Sequence, residues 1–392
     1  MVPSESGRAV PNRKGVDRRR GRPKRSSRGR LADRQGDEIG DLTQPLVISI
    51  DAMSGDHGPS VTVPACARAL GELPPSARLL LHGDEAVLRA EAQRCKLPEA
   101  RVEIRHAEKV IAMDEKPAQA MRRGKGSSMW NAIEAVREGE AVAALSSGNT
   151  GALMAISMLV LRMSADLDRP ALVAPIPNAR GVTTFLDAGA NVDCDAERLV
   201  EFAIMGEAYH RAAYGVARPT VGLLNVGSEE MKGHEEVREA NRILREGGID
   251  LDYRGFVEGD DLTKGSVDVV VTDGFTGNVA LKSMEGAARF FFGELRAALT
   301  NGALTTVGSL LARPSLLKFR EKMSPPPAAP LLGLNGLVLK CHGGVDVRDF
   351  ATSIRAAADM AQSGFASEIE RNMRRLPAAL AEAGPASADG AA

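Results

Sequence analysis

A repeated grammar constrains this chain most: a short apolar run breaks into a loop of Gly, Asn, Asp or Ser, and a helical pattern follows. The clearest case is residues 142–154 (VAALSSGNTGALM), which reads as strand, tight turn, helix. Small residues let the backbone come close to a ligand, and the helix start offers free N–H groups and the positive end of its dipole. Such a turn is an anion site by construction. The same pattern recurs at 48–59 (ISIDAMSGDHGP), 184–195 (TFLDAGANVDCD), 221–233 (VGLLNVGSEEMKG) and 267–279 (VDVVVTDGFTGNV). Apolar runs alternating with helical patterns predict a mostly parallel sheet covered by helices on both faces, with ligands beyond the carboxyl ends of the strands. The expectation is a three-layer α/β/α sandwich whose strand-end loops converge on one site.

The 392 residues, 44% of them apolar, suffice for a sizeable core. Net charge is −1, but unevenly spread: residues 1–34 carry 12 Lys/Arg against 3 acids, leaving 38 against 48. Residues 1–44, rich in Arg, Gly, Pro and Ser, are expected to be a disordered basic tail. An arm for nucleic acid or anionic lipid is weighed against a solvated extension, and the latter is favoured, with no nucleic-acid partner expected. The folded domain is set at 45–380, with a second loose tail at 381–392. Cys66, Cys95, Cys194 and Cys341 show no CxxC pairing, which disfavours zinc and disulfides and suits a reducing cytoplasm. No apolar run reaches the roughly 18 residues of a membrane span. Between 300 and 330, Leu and Phe interleave with Arg313, Lys318, Arg320 and Lys322, predicting an amphipathic helical appendage for dimer or core contact, or for a membrane surface. Residues 331–342 (LLGLNGLVLKCH) read as one further strand, and a closing helix follows from about 347 to 373.

No strand runs into GxGxxG, and Gly124-Lys125-Gly126-Ser127-Ser128 does not complete a phosphate-binding GxxxxGK[ST] loop, so ATP and NAD are disfavoured. There is no GxSxG elbow either, and no cysteine sits in an activating setting. The loops instead supply amides, hydroxyls and a few cations: Ser147, Asn149, Thr150, Asn191, Asn225, Lys232, Thr276, Asn278, Lys282, Lys340 and His342. That inventory suits holding phosphate and an oxyanion, so that positioning replaces covalent catalysis. Asp51 and Asp273, at strand ends, either orient a basic partner or cap turns. His57 stands between glycines, with no core to fill. The proton donor is left open among Lys232, Lys282 and His342. Arg122, Arg123 and Lys125 either dock an acidic partner or form a solvated basic face.

These stretches, with SSMWNA (127–132), DRPAL (168–172), LDAGANVD (186–193) and APLLGLNG (329–336), closely resemble the bacterial fatty acyl-[acyl-carrier-protein]:phosphate acyltransferases of phospholipid synthesis. The resemblance implies an isopropylmalate-dehydrogenase-like, Rossmann-like fold and a homodimer. It implies acyl phosphate made from acyl carrier protein and inorganic phosphate, without metal or organic cofactor. A downstream membrane glycerol-3-phosphate acyltransferase would use the product, and a cytoplasmic enzyme would associate peripherally with the membrane. The resemblance supplies no settled catalytic residue; the loop argument, applied to the matching positions, places Lys232, Lys282, His342 and Asp273 in catalysis, and Asp51, His57, Ser147, Asn149, Thr150, Asn191, Asn225, Thr276 and Asn278 around phosphate and the oxyanion. Carrier-protein docking falls to Arg122, Arg123 and Lys125. The sequence departs from the family pattern at Ser54, where a glycine is expected, at Ser147 and Cys341, where alanine is expected, and at Pro325-Pro326-Pro327. A short-chain acyl-CoA phosphotransferase, an oxidoreductase and a non-catalytic adaptor acting through the basic tail are the competing readings.

Overall fold

The computed structural model describes residues 45–164, 167, 169–323, 327–364, 369, 373, 374 and 381. The basic tail, the C-terminal tail beyond 381, and Pro325 and Pro326 lie outside these residues. Twelve strands are described: β1 (Val47–Asp51), β2 (Arg78–Gly83), β3 (Val102–His106), β4 (Ala143–Ser146), β5 (Ala171–Leu172), β6 (Ala174–Pro177), β7 (Val182–Leu186), β8 (Thr220–Leu224), β9 (Asp252–Val257), β10 (Val269–Val271), β11 (Ala328–Leu332) and β12 (Leu337–Cys341). The helices are α1 (Pro59–Leu70), α2 (Glu85–Arg94), α3 (Pro117–Arg123), α4 (Ser128–Arg137), α5 (Thr150–Leu161), α6 (Ala196–Tyr214), α7 (Glu235–Glu246), α8 (Asp261–Lys264), α9 (Gly274–Thr300), α10 (Ala303–Met323) and α11 (Val347–Gln362).

The α/β class is as the alternating pattern predicts, but the strands divide between two sheets. One has the order β3-β2-β1-β4-β12-β11-β5, the other β6-β7-β10-β8-β9. Within the first, β3, β2, β1, β4 and β12 run parallel, and β11 is antiparallel to its neighbours; in the second only β6 is antiparallel. The chain changes sheets at Val173, between β5 and β6. Residues 331–342, read as one strand, are instead a hairpin of β11 and β12. Gly333, at φ +87°, takes the left-handed turn that separates the two strands, a conformation that costs glycine nothing.

Strand alternation explains the layers. Ile48, Ile50, Leu79 and Leu81 point to the face covered by α1 and α11 and share a continuous core with α6 and with Val269 and Val271 of the second sheet. Ala144 and Val338 point the other way, into a core closed by α4 and α5. Phe185 and Val270 form the opposite face of the second sheet, against Leu262 of α8 and the partly buried Leu281 of α9. Both sheets therefore read as near-continuous apolar runs, the mark of strands buried on two faces.

Helices α9 and α10 form the appendage, with helix rather than loop from 303 to 323. Phe292 and Phe319 pack with ring centroids 5.9 Å apart, and a cavity of about 450 Å³ lies between the two helices. Several of their other apolar side chains stay in water: Phe291 is 68% exposed, Leu304 90% and Leu311 81%. Among the described residues no helix is long and apolar enough to cross a membrane.

One buried polar pair sets an acid limit on stability. His82 of β2 lies 2.9 Å from the Ser49 hydroxyl of β1, and burial, with the nearby Arg105 cation, lowers its pKa to about 4. Between pH 6.5 and 4 the unfolded chain takes up a proton that the folded protein refuses, so this group makes stability fall as pH falls, by about 1.4 kcal/mol per pH unit at most. Denaturant titrations of wild type and His82→Gln across that window should show a shallower decline in the variant. Parallel curves would remove His82 as the cause.

Candidate functional site

The carboxyl ends of β1, β4 and β12, adjacent in the first sheet, bring three loops together. The Asp56 amide donates to Gly343 O at 2.9 Å, joining the β1 and β12 loops. The Ser147 hydroxyl donates to Ser54 O at 3.0 Å, joining the β4 and β1 loops. The 107–117 segment closes over the turn through Asn149, whose amide donates to Met113 O and Glu115 O at 2.7 and 2.9 Å. His57, Thr150 and His342 are exposed around this group. The Gly344 amide donates to Nδ1 of His342 at 3.3 Å, which in a neutral ring leaves the proton on Nε2. Lys340 is half-buried in the same strand end, its pKa lowered by burial, with Asp56 nearby. Arg122, Arg123 and Lys125 are exposed on or just after α3, a helix that packs against α5.

The turn after β4 takes the strand, tight turn and helix form that the sequence predicts. Asn149 caps α5, its Oδ1 accepting from the Ala152 amide at 3.0 Å, and the Leu153 amide donates to Asn149 O. The amides of Thr150 and Gly151, at the first two helical positions, have no intrahelical acceptor and carry the positive end of the dipole.

A second group forms on the other sheet. Asp187, at the end of β7, accepts from the amides of Leu172, Gly189, Ala190 and Asn191 and from the Asn191 side chain, at 2.6–3.3 Å. Burial raises its pKa, and these donors oppose the rise. The Asn191 carbonyl in turn accepts from Gly274 at the start of α9, at 2.7 Å. Gly277 fits because it lacks a side chain: a Cβ there would sit 1.9 Å from Asp187 O. Asn278 lies against Gly189, with Thr276 and then Lys282 exposed along α9. Beside Asn191 opens a polar cavity of about 440 Å³, lined by Arg169, Val192, Asp193 and Arg198 among others.

The predicted site residues thus fall into two groups, one per sheet, and several do a different job from the one expected. Asp51 is fully buried, so it touches no ligand; its carboxylate accepts from the Ser146 hydroxyl at 2.7 Å. Ser147 is 1% exposed and bonded within the loops. Both ends of the Asn149 side chain are engaged in building the turn. Asp273 caps α9, accepting from the Thr276 amide at 2.8 Å. With Gly274 and Thr276 so engaged, the α9 start retains fewer free amides than that of α5. Asn225 shapes its own loop, donating to Lys232 O at 3.0 Å and accepting from the Val226 amide. Lys232 is exposed and paired with Glu229 at 2.8 Å, and that pairing raises its pKa.

Sequence reasoning missed Asp187 as the residue that organises the second group. Its signal was an acid at a strand end followed by Ala-Gly-Ala-Asn, small residues able to turn their amides back onto it. Burial works against thiolate formation at three cysteines: it raises the pKa of Cys66, takes Cys194 to about 12 and takes Cys341 to about 11.

The comparisons with known proteins agree with this architecture. A family described as "Fatty acid synthesis protein" matches residues 46–368. A phosphate acyltransferase of Phenylobacterium zucineum is 80% identical over 351 residues, covering 90% of this chain and all of that protein. One of Caulobacter vibrioides is 61% identical, covering 87% and 95%. Among solved structures, a phosphotransacetylase from Streptococcus pyogenes superposes with a TM-score of 0.57 at 16% identity, covering 81% of this chain and 95% of that one, a likeness of fold. The EutD phosphotransacetylase of Staphylococcus aureus does so at 0.54 and 14%, covering 81% and 94%. With the family match across residues 46–368 and this degree of identity, the chain belongs to the phosphate acyltransferases of fatty acid and phospholipid synthesis.

Proposed function

We propose that the enzyme transfers a long-chain acyl group from acyl carrier protein to inorganic phosphate, as the first step toward glycerol 3-phosphate acylation at the membrane. The observation that carries this reading is the α5 turn, whose unbonded amides and helix dipole offer an oxyanion and phosphate site without a metal or a nucleophilic side chain. A phosphate oxygen attacks the thioester carbonyl carbon, the carbonyl oxygen gains charge against the turn, the carbon–sulfur bond breaks, and the departing thiolate takes a proton. The raised cysteine pKa values support a route with no acyl-enzyme.

His342 is the proton donor in this reading. It is exposed at the end of β12, and its ring is oriented by Gly344. Lys232 is the poorer candidate, since Glu229 stabilises its ammonium form. Asn278, Thr276 and Lys282 face the substrate from α9, and Asn191 holds the neighbouring turn. His57 and Thr150 contact phosphate from the first group. Arg122, Arg123 and Lys125 receive the acidic carrier protein beside the rim.

The α9–α10 appendage supports the remaining parts of the reading. Apolar side chains such as Phe291 and Leu311 form a face that a second copy of the chain would cover in a homodimer, and Arg313, Lys318 and Lys322 of α10 suit peripheral contact with anionic headgroups.

The decisive assay is phosphate-dependent thiol release from long-chain acyl carrier protein, with acyl phosphate trapped by hydroxylamine and acyl-CoA run in parallel. Trapped product from the carrier-protein donor is the expected result; release only from acyl-CoA would move the enzyme to the short-chain class, and release from neither would sink the proposal. His342→Ala should lower kcat by about 100-fold or more, the usual scale of a lost general acid, and an unchanged kcat would return the role to the lysines. Paired Phe291→Asp and Leu311→Asp changes should shift the protein toward monomer in light scattering, and an unaltered mass would exclude this face from the dimer.

A further inference from the structure

Asp51 is an unusual group to bury at the edge of an anion site. It is wholly inside, at the end of β1, and its Oδ2 accepts the Ser146 hydroxyl at 2.7 Å. Ser146 is itself 1% exposed, and its Oγ accepts the Gly148 amide at 3.1 Å. Since the Ser146 proton is directed to Asp51, the oxygen lone pairs are directed to Gly148. Ser54 Oγ, 3.2 Å from Ser146 Oγ, donates to Asp51 O at 3.3 Å and closes the cluster from the β1 loop. Asp51 Oδ1 faces the Ser128 hydroxyl at the start of α4, yet both atoms are buried without a well-formed hydrogen bond. Fold stability alone is a poor reason for this arrangement: a buried carboxyl with one unpaired oxygen is costly, and an apolar residue would pack there without that cost.

We propose that Asp51 is a positioning residue of the acyl-transfer site, acting through Ser146 to lock the Gly148 amide and so aim the free amides of Thr150 and Gly151 at the reacting carbonyl. The chain of contacts runs from carboxylate to hydroxyl to amide to the α5 turn. Each link fixes the orientation of the next. Ser147 and Asn149 brace the turn through their side chains on either side, and Gly148, which has no side chain, is held between them through its amide. Electrostatic stabilisation of an oxyanion depends on donors fixed before charge develops, so a turn held from behind is worth more than the same turn left loose. The inference rests on the acyl phosphate reading above, because that reading supplies the oxyanion.

The test compares Asp51→Asn, Asp51→Ala, Ser146→Ala and the double alanine variant in the hydroxylamine assay, with circular dichroism and melting temperature read alongside. Wild-type enzyme must first yield acyl phosphate; if it yields none, the functional reading fails before the relay is judged. Given wild-type turnover, Asp51→Asn keeps an oxygen that accepts from Ser146 and should hold kcat within about 3-fold. Asp51→Ala and Ser146→Ala should each lower kcat by about 10- to 100-fold, less than the roughly 100- to 1000-fold of a donor lost outright because the amides are misaimed rather than removed, with KM for phosphate moving less than kcat. The double variant should lose no more than the worse single one, as members of one unit do. Full kcat in both folded alanine variants would overturn the proposal, and so would losses that multiply. If Asp51→Ala does not fold, Ser146→Ala and the rescue by Asp51→Asn decide it: loss in the first with retention in the second supports the relay, and equal loss in both refutes it.

Discussion

A buried carboxylate needs several donors to remain in a protein interior, and Asp187 obtains them by turning the chain back onto itself. Four main-chain amides and the Asn191 side chain converge on its two oxygens. To supply them, residues 188–191 must fold into a tight turn and Leu172 must lie alongside. That places the Asn191 carbonyl where the first amide of α9 meets it. The start of α9, the course of the β5–β6 segment and the wall of the polar cavity all follow from one acid whose desolvation is otherwise unfavourable. Interior packing then fixes the distance, since Gly277 lets the helix approach until its backbone touches the end of β7.

The two halves of the molecule use opposite electrostatic devices at equivalent strand ends. In the second sheet an acid gathers amides, and most N–H groups at the α9 terminus are consumed in the process. In the first sheet the acid is withdrawn behind the turn, with one oxygen held by the Ser146 hydroxyl, and the amides of Thr150 and Gly151 are left available. The arrangement in the first sheet leaves more donors to spare for an external anion. This contrast, more than composition or net charge, is the reason the proposed phosphate chemistry is put at the α5 turn.

Much of the fold was legible because both faces of each sheet are covered. Runs such as Leu79-Leu80-Leu81 and Val269-Val270-Val271 have no polar alternation to confuse them with surface strands, and the glycine-rich breaks that follow mark their carboxyl ends. The division into two sheets was not legible: the change of sheet takes place at Val173, inside an apolar segment that looks like a single strand. The β11–β12 hairpin was hidden for a similar reason, since Gly-Leu-Asn-Gly lies inside a continuous apolar run. At the site, residue types gave the chemistry but not the division of labour. Asn149, Asp273 and Asn225 have the side chains of ligand-binding residues, and the same hydrogen-bonding capacity makes them good caps and loop braces. Whether such a group faces substrate or backbone depends on tertiary neighbours that linear spacing does not encode, as Met113 and Glu115 are for Asn149.

Ser54 and Ser147 depart from the residues that the family pattern led us to expect, a glycine and an alanine, and the fold places these two departures in contact. The Ser147 hydroxyl donates to Ser54 O, and the two hydroxyl oxygens lie 3.4 Å apart in a region closed to water. A hydroxyl introduced there alone would have lacked part of its present hydrogen bonding. Each hydroxyl also reaches a backbone carbonyl, Ser147 that of Ser54 and Ser54 that of Asp51, so the two positions are coupled through their mutual contact alone, and neither serine depends on the other having come first.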